Sequence, residues 1–247
     1  MKYLYKRLAK YYDLIYSNRD YNGEARFIAT LTKKFKVKGK KILDVACGTA
    51  SHSVFLKKMG YSITGLDINE EMLTIARKKL RNTRFIKADM RNFNFQEKFD
   101  IVICLFSSIH YNLSYKQLER TLKNFNKHLK DGGMIVFDMA FNKERWDEGH
   151  TLVESLKDKD LFLVRCGLST SKNNIGILQL AYTIMKQGKL KFALERHKIK
   201  IFDSNRIKGL MEKLGFKAKL YQGFTNKLWH SRSKEPVLFI GIKRNTF

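Results

Sequence analysis

Short apolar runs alternate along the first half of the chain with stretches in which apolar residues recur every three to four positions. KILDVA at 41–46 predicts a buried strand and SHSVFLKKM at 51–59 a helix. YSITGLD at 61–67 predicts a second strand, followed by a helix over 70–80 with Met72, Leu73, Ile75, Ala76 and Leu80 on one face. RFIKAD at 84–89 reads as a third strand. FDIVICLF at 99–106, apolar nearly throughout, reads as a fourth that is buried on both faces. A helix over 115–129, with Leu118, Leu122, Phe125 and Leu129 in one stripe, precedes a DGG turn at 131–133 and a strand at 133–139. Strands that alternate with helices in this way build a parallel sheet wrapped on both faces.

After residue 150 the rhythm changes. LFLVRCGLS, ILQLAYTIM and KLKFALERHKIKIF are strand-like runs separated by TSKNN and KQGK, two turn-like stretches, and predict an antiparallel hairpin or meander inserted over 151–202. The earlier pattern resumes with a helix at 204–214 and strands at 216–224 and 236–243. The sequence therefore predicts one domain over 1–247: a doubly wound α/β fold with a mostly parallel, seven-stranded sheet and one antiparallel insertion.

The loop between the first strand and helix, Ala46-Cys47-Gly48-Thr49-Ala50, is made of small residues. Such a loop lets a ligand approach the backbone outside the strand ends. A dinucleotide fingerprint needs three glycines here, and the loop has one. Acidic residues carry more information, because Asp44, Asp67 and Asp89 end three successive strands. An acid at the second strand end suits ribose hydroxyls and one at the third an exocyclic amine, while Asp44 suits an ammonium or sulfonium. Together they describe a positively charged nucleoside without phosphate. Taken singly, each acid could equally cap a loop.

Composition narrows the class. With 247 residues and 44% hydrophobic positions the chain can bury a sizeable core. No stretch reaches the roughly 18 apolar residues of a membrane span. The basic, aromatic start, MKYLYKRLAKYYDLIY, lacks the apolar centre of a cleavable leader. Cys47, Cys104 and Cys166 stand far apart and read as buried free thiols of a cytoplasmic protein. No His, Cys, Asp and Glu set has metal-ligand spacing.

The net charge of +26 raises nucleic acid as a partner. Its densest runs, Lys33, Lys34, Lys36, Lys38, Lys40 and Lys41, and Arg77, Lys78, Lys79, Arg81 and Arg84, fall at strand starts and helix ends. That edge lies opposite the ligand, where helix dipoles favour cations, so a nucleic-acid partner is not the favoured reading.

The segments DVACGTA, GLDINEEML, KADMRNF, FDIVICLFSSIHYN and LKDGGMIVFDM resemble, in order, those of the class I S-adenosylmethionine-dependent methyltransferases, over about residues 10–140. The DVACGT loop, the FSSxxY segment and the insertion are similar to small-molecule N-methyltransferases of the aminosugar type. The resemblance implies a Rossmann-like fold and S-adenosylmethionine as cofactor. Ala46, Cys47, Gly48 and Thr49 would lie against its methionine part, with Asp67 and Ile68 at ribose and adenine. Asp89 and Met90 would flank the adenine, Leu105 and Phe106 the other side, and Tyr12 would close over the cofactor. Ala50 departs from the family, which usually has glycine there.

The resemblance thus points to methyl transfer to a nitrogen, or an oxygen, of a small polar molecule by a monomer or homodimer. His110 and Tyr111 follow the fourth strand and are the candidates to accept a hydrogen bond from the nucleophile. The insertion is expected to cover the acceptor rather than the cofactor. An RNA acceptor, or a non-catalytic cofactor-binding regulator, are the alternatives. Trp146, Arg165, Tyr182 and His197 are candidates to line a substrate pocket, with ordinary packing or surface the favoured reading for each.

Overall fold

The computed structural model describes Tyr5 and residues 8–244. The leader reading of residues 1–16 and the bounds of the 1–247 domain therefore fall partly outside the described residues. Two helices, α1 (Tyr12–Ile15) and α2 (Tyr21–Lys34), lead into β1 (Lys41–Val45), α3 (Ser51–Lys58), β2 (Ser62–Asp67), α4 (Glu70–Lys79), β3 (Arg84–Lys87) and β4 (Phe99–Cys104). A 3-10 turn, Ser108–Tyr111, precedes α5 (Tyr115–His128) and β5 (Leu129–Met139). Four long strands follow: β6 (Thr151–Asp158), β7 (Leu161–Lys172), β8 (Ile175–Lys186) and β9 (Lys189–Lys200). The chain closes with α6 (Ser204–Lys213), β10 (Phe216–Gln222) and β11 (Val237–Lys243). Side chains fix three helix starts by accepting from main-chain N–H groups: Asp20 from Gly23, Ser114 from Gln117 and Asp203 from Arg206.

The main sheet has seven strands in the order β10-β11-β5-β4-β1-β2-β3; only β11 runs antiparallel to its neighbours. Chain order reverses between β1 and β4. The loops after these two strands open there into the crevice where doubly wound sheets bind ligands. Apolar side chains on both faces of the sheet make the core. Leu43, Val45, Val102 and Phe137 pack on one side, and Ile42, Ile101, Ile103 and Val136 on the other. Because these strands are buried on both faces, they read as continuous apolar runs rather than as alternation.

The insertion forms its own antiparallel sheet, β6-β7-β8-β9. Two of its three hairpins turn at Asn173-Asn174 and Gln187-Gly188, each pair at positive φ, as two-residue turns with the twist of the flanking strands require. Alternate residues face the main domain: Leu163, Tyr182 and Ile184 pack with Tyr12 and Met72. The other face leaves Val153, Phe162, Met185, Leu190, Phe192 and Leu194 exposed.

Three expectations are corrected. The DGG stretch is a bulge inside β5, with Phe99 opposite Leu129 and Ile101 opposite Met134. Gly133 is required there, since a Cβ would lie 2.8 Å from the Lys130 carbonyl oxygen. The segment at 151–158, which alternates exposed and half-buried positions over most of its length, is a full strand where the sequence reading named none. Cys166 is exposed, not buried, because it sits on the outward face of the insertion.

Candidate active site

Two loops shape the crevice. After β1 the backbone takes the left-handed conformation at Ala46 (φ 56°), Gly48 (φ 54°) and Ala50 (φ 63°). After β4 it does so at Phe106 (φ 61°) and Ser107 (φ 57°). For non-glycine residues this costs about 1–2 kcal/mol each, and such strain collects at functional sites. The methyl of Ala50 points into a pocket of Leu73, Ala76 and Phe85, so the departure from glycine costs backbone strain without narrowing the crevice.

Three adjoining spaces meet here. The first, about 500 Å³, is lined by Ala46, Gly48, Asp67, Ile68, Asp89 and Met90, with Tyr12, Phe106 and Tyr111 along its side. A small recess of about 40 Å³ adds Asp44, Cys47, Thr49 and Leu105. The second large cavity, about 570 Å³, lies under the insertion. Tyr5, Phe106 and Tyr111 belong to the walls of both large cavities and so form the partition between them.

The carboxylates at the strand ends differ in what they hold. Asp67 is buried. It accepts from the Gly48 N–H at 2.9 Å, the Asn69 N–H at 2.8 Å and the Asn69 side-chain amide at 3.1 Å. Burial pushes its carboxyl above the usual range, against these hydrogen bonds. The Asp67 carboxylate lines the first cavity, where a ligand hydroxyl can meet it. Asp44, also buried, accepts from the Ser53 hydroxyl at 2.6 Å and is pushed by burial up to about 6. Asp89 is forked by the Arg91 guanidinium, which lowers its proton affinity. Both Asp89 oxygens are therefore shared with an arginine, which a reading of spacing alone could not foresee.

The geometry fits S-adenosylmethionine. Gly48 sits at positive φ and a Cβ there would meet the Met72 methyl at 3.3 Å, so the loop keeps its backbone bare toward the ligand. Around the same cavity stand the Asp67 carboxylate and the apolar side chains of Met90 and Phe106. Thr49 donates to Asp13 at 2.6 Å, and Lys79 pairs with the same carboxylate at 2.8 Å. This tie holds the segment bearing Tyr12 against the loop. Burial raises the Tyr12 phenol and the Cys47 thiol well above their ordinary values, so both stay neutral.

His110 is corrected. It is fully buried outside both cavities, with Nδ1 2.7 Å from the Lys200 carbonyl oxygen and Nε2 accepting from the Phe141 N–H at 3.3 Å. Burial lowers its proton affinity to about 4. It ties the 3-10 turn to the segment after β5 and to the end of β9 and cannot reach an acceptor. Tyr111, one residue later, does face the partition.

Sequence reasoning missed several wall residues. Asp138 ends β5 as Asp44 ends β1, so the strand-end signal was present in FDM. It is 4% exposed and faces the second cavity. Its Oδ2 accepts from the Ser107 N–H at 3.0 Å and the Ser107 hydroxyl at 3.1 Å, while Oδ1 has no hydrogen-bond partner among the described residues. Arg165 and His197, read as packing or surface, also line that cavity, whereas Tyr182 is buried core and Trp146 lies outside both large cavities. The insertion reaches both large cavities, because Arg165 and His197 line the second and Arg196 and Lys198 of β9 the first.

Lys36, Lys38 and Lys130 gather at the opposite edge around Asp100, which bonds the Lys41 N–H and the Lys130 ammonium. One member of the basic runs, Lys79, does not follow that placement, because it reaches Asp13. Among the described residues no helix is long and apolar enough to cross a membrane.

Residues 42–133 match the family described as a methyltransferase domain. With the sheet order and the crevice, this makes the chain a class I S-adenosylmethionine-dependent methyltransferase with a Rossmann-like fold. Within that class it is most similar to aminosugar N-methyltransferases. It is 29% identical over 218 residues to a dTDP-3-amino-3,4,6-trideoxy-alpha-D-glucopyranose N,N-dimethyltransferase of Streptomyces venezuelae, covering 87% of this chain and 92% of that one. It is 25% identical over 219 residues to a dTDP-3-amino-3,6-dideoxy-alpha-D-glucopyranose N,N-dimethyltransferase of Streptomyces fradiae, covering 87% and 86%. The crystal structure of Streptomyces venezuelae DesVI superposes with a TM-score of 0.85 at 27% identity, covering 96% of this chain and 98% of that chain.

Proposed function

We propose that this chain methylates the amino nitrogen of a nucleotide-linked aminosugar. The observation that carries the reading is the pair of large cavities sharing the Tyr5, Phe106 and Tyr111 partition, with the spare carboxylate oxygen of Asp138 on the far side from Asp67. When bound, S-adenosylmethionine supplies a methyl group already activated by its sulfonium. The protein's work is then to align the nucleophile and exclude water. Asp67 would accept from the ribose, with Ile68, Asp89 and Met90 beside the adenine. Ala46, Cys47, Gly48 and Thr49, with Asp44 and Leu105, would enclose the methionine part, and Tyr12 and Phe106 would cover it. On the acceptor side Asp138 would take a hydrogen bond from the amino group. An uncompensated buried acceptor is costly, and an ammonium donor removes that cost.

The three free cysteines, Cys47, Cys104 and Cys166, support a reducing compartment such as the cytoplasm. The exposed apolar face of the insertion supports a homodimer, since a twofold axis can bury one such face against its copy.

The test is transfer of labelled methyl from S-adenosylmethionine to dTDP-3-amino-3,4,6-trideoxy-glucose, to simple aliphatic amines and to total RNA. Label on the sugar nitrogen is the expected result, with KM for the sugar raised at least about tenfold in Asp138→Asn, as for loss of a hydrogen bond to a charged group. Label on RNA with none on the amino sugar would overturn the reading.

A further inference from the structure

Tyr111 sits in the partition and is hydrogen-bonded on two sides. Its hydroxyl lies 2.8 Å from the Tyr5 hydroxyl and 2.8 Å from Nδ1 of His197. On the far side of the imidazole, Nε2 of His197 is 3.3 Å from Oε1 of Glu195. Residues 195 and 197 are two apart on β9, so their side chains share the inward face of the insertion. There the two side chains are 4% exposed for His197 and 0% for Glu195. Burying a carboxylate beside an imidazole costs desolvation, so the pair is a poor device for stability alone.

The contacts assign roles. A carboxylate oxygen 3.3 Å from Nε2, an ion-pair contact, favours a proton on that nitrogen, which leaves Nδ1 as an acceptor for the Tyr111 O–H. Tyr111 lines both cavities, so its phenol stands at their junction. We infer that Tyr111, His197 and Glu195 form a relay that removes a proton from the acceptor's ammonium group before methyl transfer. The inference rests on the amine reading of the acceptor. In the step, an ammonium N–H bond breaks and its proton goes to the Tyr111 oxygen as the phenol's own proton moves to Nδ1 of His197. The nitrogen keeps the electron pair. His197 becomes imidazolium, balanced by the Glu195 carboxylate, and neither partner is oxidised or reduced. The relay has a chemical reason, since an alkylamine titrating near 10.4 is only about 0.1% free base at pH 7.5.

Other titratable groups face this pair. Tyr5 packs edge-on against His197, with ring centroids 5.5 Å apart. Tyr182 and Tyr16 lie near Glu195 from the neighbouring strand and the N-terminal segment, and Arg165 bonds the Tyr16 hydroxyl at 3.0 Å. Arg196 and Lys198 flank His197 on the opposite face of β9 and reach the first cavity.

Two measurements on the full chain test the relay. Nitrogen NMR of the histidine rings, with the His197 signal identified by its loss in His197→Gln, should show His197 protonated on Nε2, a tautomer preference that weakens in Glu195→Gln. A proton on Nδ1 would overturn the proposal. The second is the pH profile of kcat/KM on dTDP-3-amino-3,4,6-trideoxy-glucose. At pH 7, His197→Gln should lose about 100-fold, in the range for general-base catalysis. Its rate should then climb tenfold per pH unit toward the amine's own pKa, so that the gap closes. S-adenosylhomocysteine affinity should stay within twofold. A uniform loss with an unchanged profile would make His197 merely structural. Tyr111→Phe keeps the ring and should give the same profile if His197→Gln does not fold. If the wild-type protein leaves that sugar unmethylated, the acceptor reading fails, and the tautomer measurement still decides the relay.

Discussion

Replacing His110 by glutamine separates a structural histidine from a catalytic one. The ring holds two buried main-chain groups, the Lys200 carbonyl and the Phe141 N–H, and glutamine can keep one of them. At pH 7.5 His110→Gln should therefore cost about 1–3 kcal/mol of stability, the penalty of one buried group left unpaired. The pH dependence is more telling. Burial lowers the folded proton affinity of His110 from 6.5 to about 4, whereas the unfolded chain titrates near the ordinary value. Between those limits the unfolded chain binds a proton that the folded chain does not, so stability falls as pH falls. The loss is about 2 kcal/mol at pH 5 and about 3 kcal/mol at pH 4.

Asp44 acts in the opposite direction. Its folded proton affinity is raised to about 6, so the folded chain gains stability as pH drops through that value. The useful quantity is therefore wild type minus variant, in which the Asp44 contribution cancels. Urea unfolding followed by tryptophan fluorescence at pH 7.5, 6, 5 and 4 measures it. The wild-type advantage should shrink below pH 6.5 and reverse between about pH 5 and 4. Parallel stability curves would refute the buried, neutral histidine, and a large fall in kcat at unchanged stability would return His110 to the catalytic machinery.

Replacing Asp67 by alanine should weaken S-adenosylhomocysteine binding by about 1.5–3 kcal/mol in calorimetry, the loss of hydrogen bonds to a charged group; an unchanged affinity would remove Asp67 from the site. Changing Lys33, Lys34, Lys36 and Lys38 together to glutamine should leave turnover of a small acceptor unaltered, because exposed charges beyond about 8–10 Å are screened at ordinary ionic strength. A loss that vanishes at high salt would instead indicate a polyanionic acceptor. Phe192→Lys with Leu194→Lys, on residues that are each 74% exposed, should convert a dimer to a monomer in sedimentation while leaving the circular dichroism spectrum unchanged; an unaltered molecular mass would exclude that face as the contact.

The sequence by itself determined the doubly wound core, because strands buried on both faces must be apolar throughout and their helices must alternate polar and apolar faces. It also located the small-residue loop after β1 and the acids at strand ends, since those features are local: Asp44, Asp67 and Asp89 each stand where a run of period-two or continuous apolar residues stops. Even the two-residue hairpin turns at 173–174 and 187–188 were legible from their asparagine and glycine content. Only the tertiary structure decided which neighbours those residues meet. His110 and Tyr111 are adjacent in sequence, yet a 3-10 turn sends one ring into the core and the other into the partition. His197 and Glu195 look like alternate positions of an ordinary strand until the insertion folds back and brings them, across 86 residues from Tyr111 to His197, to the junction of the two cavities. The DGG motif became a bulge because β5 had to stay in register with β4, and the Asp89 carboxylate was taken by Arg91. Such outcomes depend on long-range packing and on competition for buried hydrogen bonds, which no local pattern records.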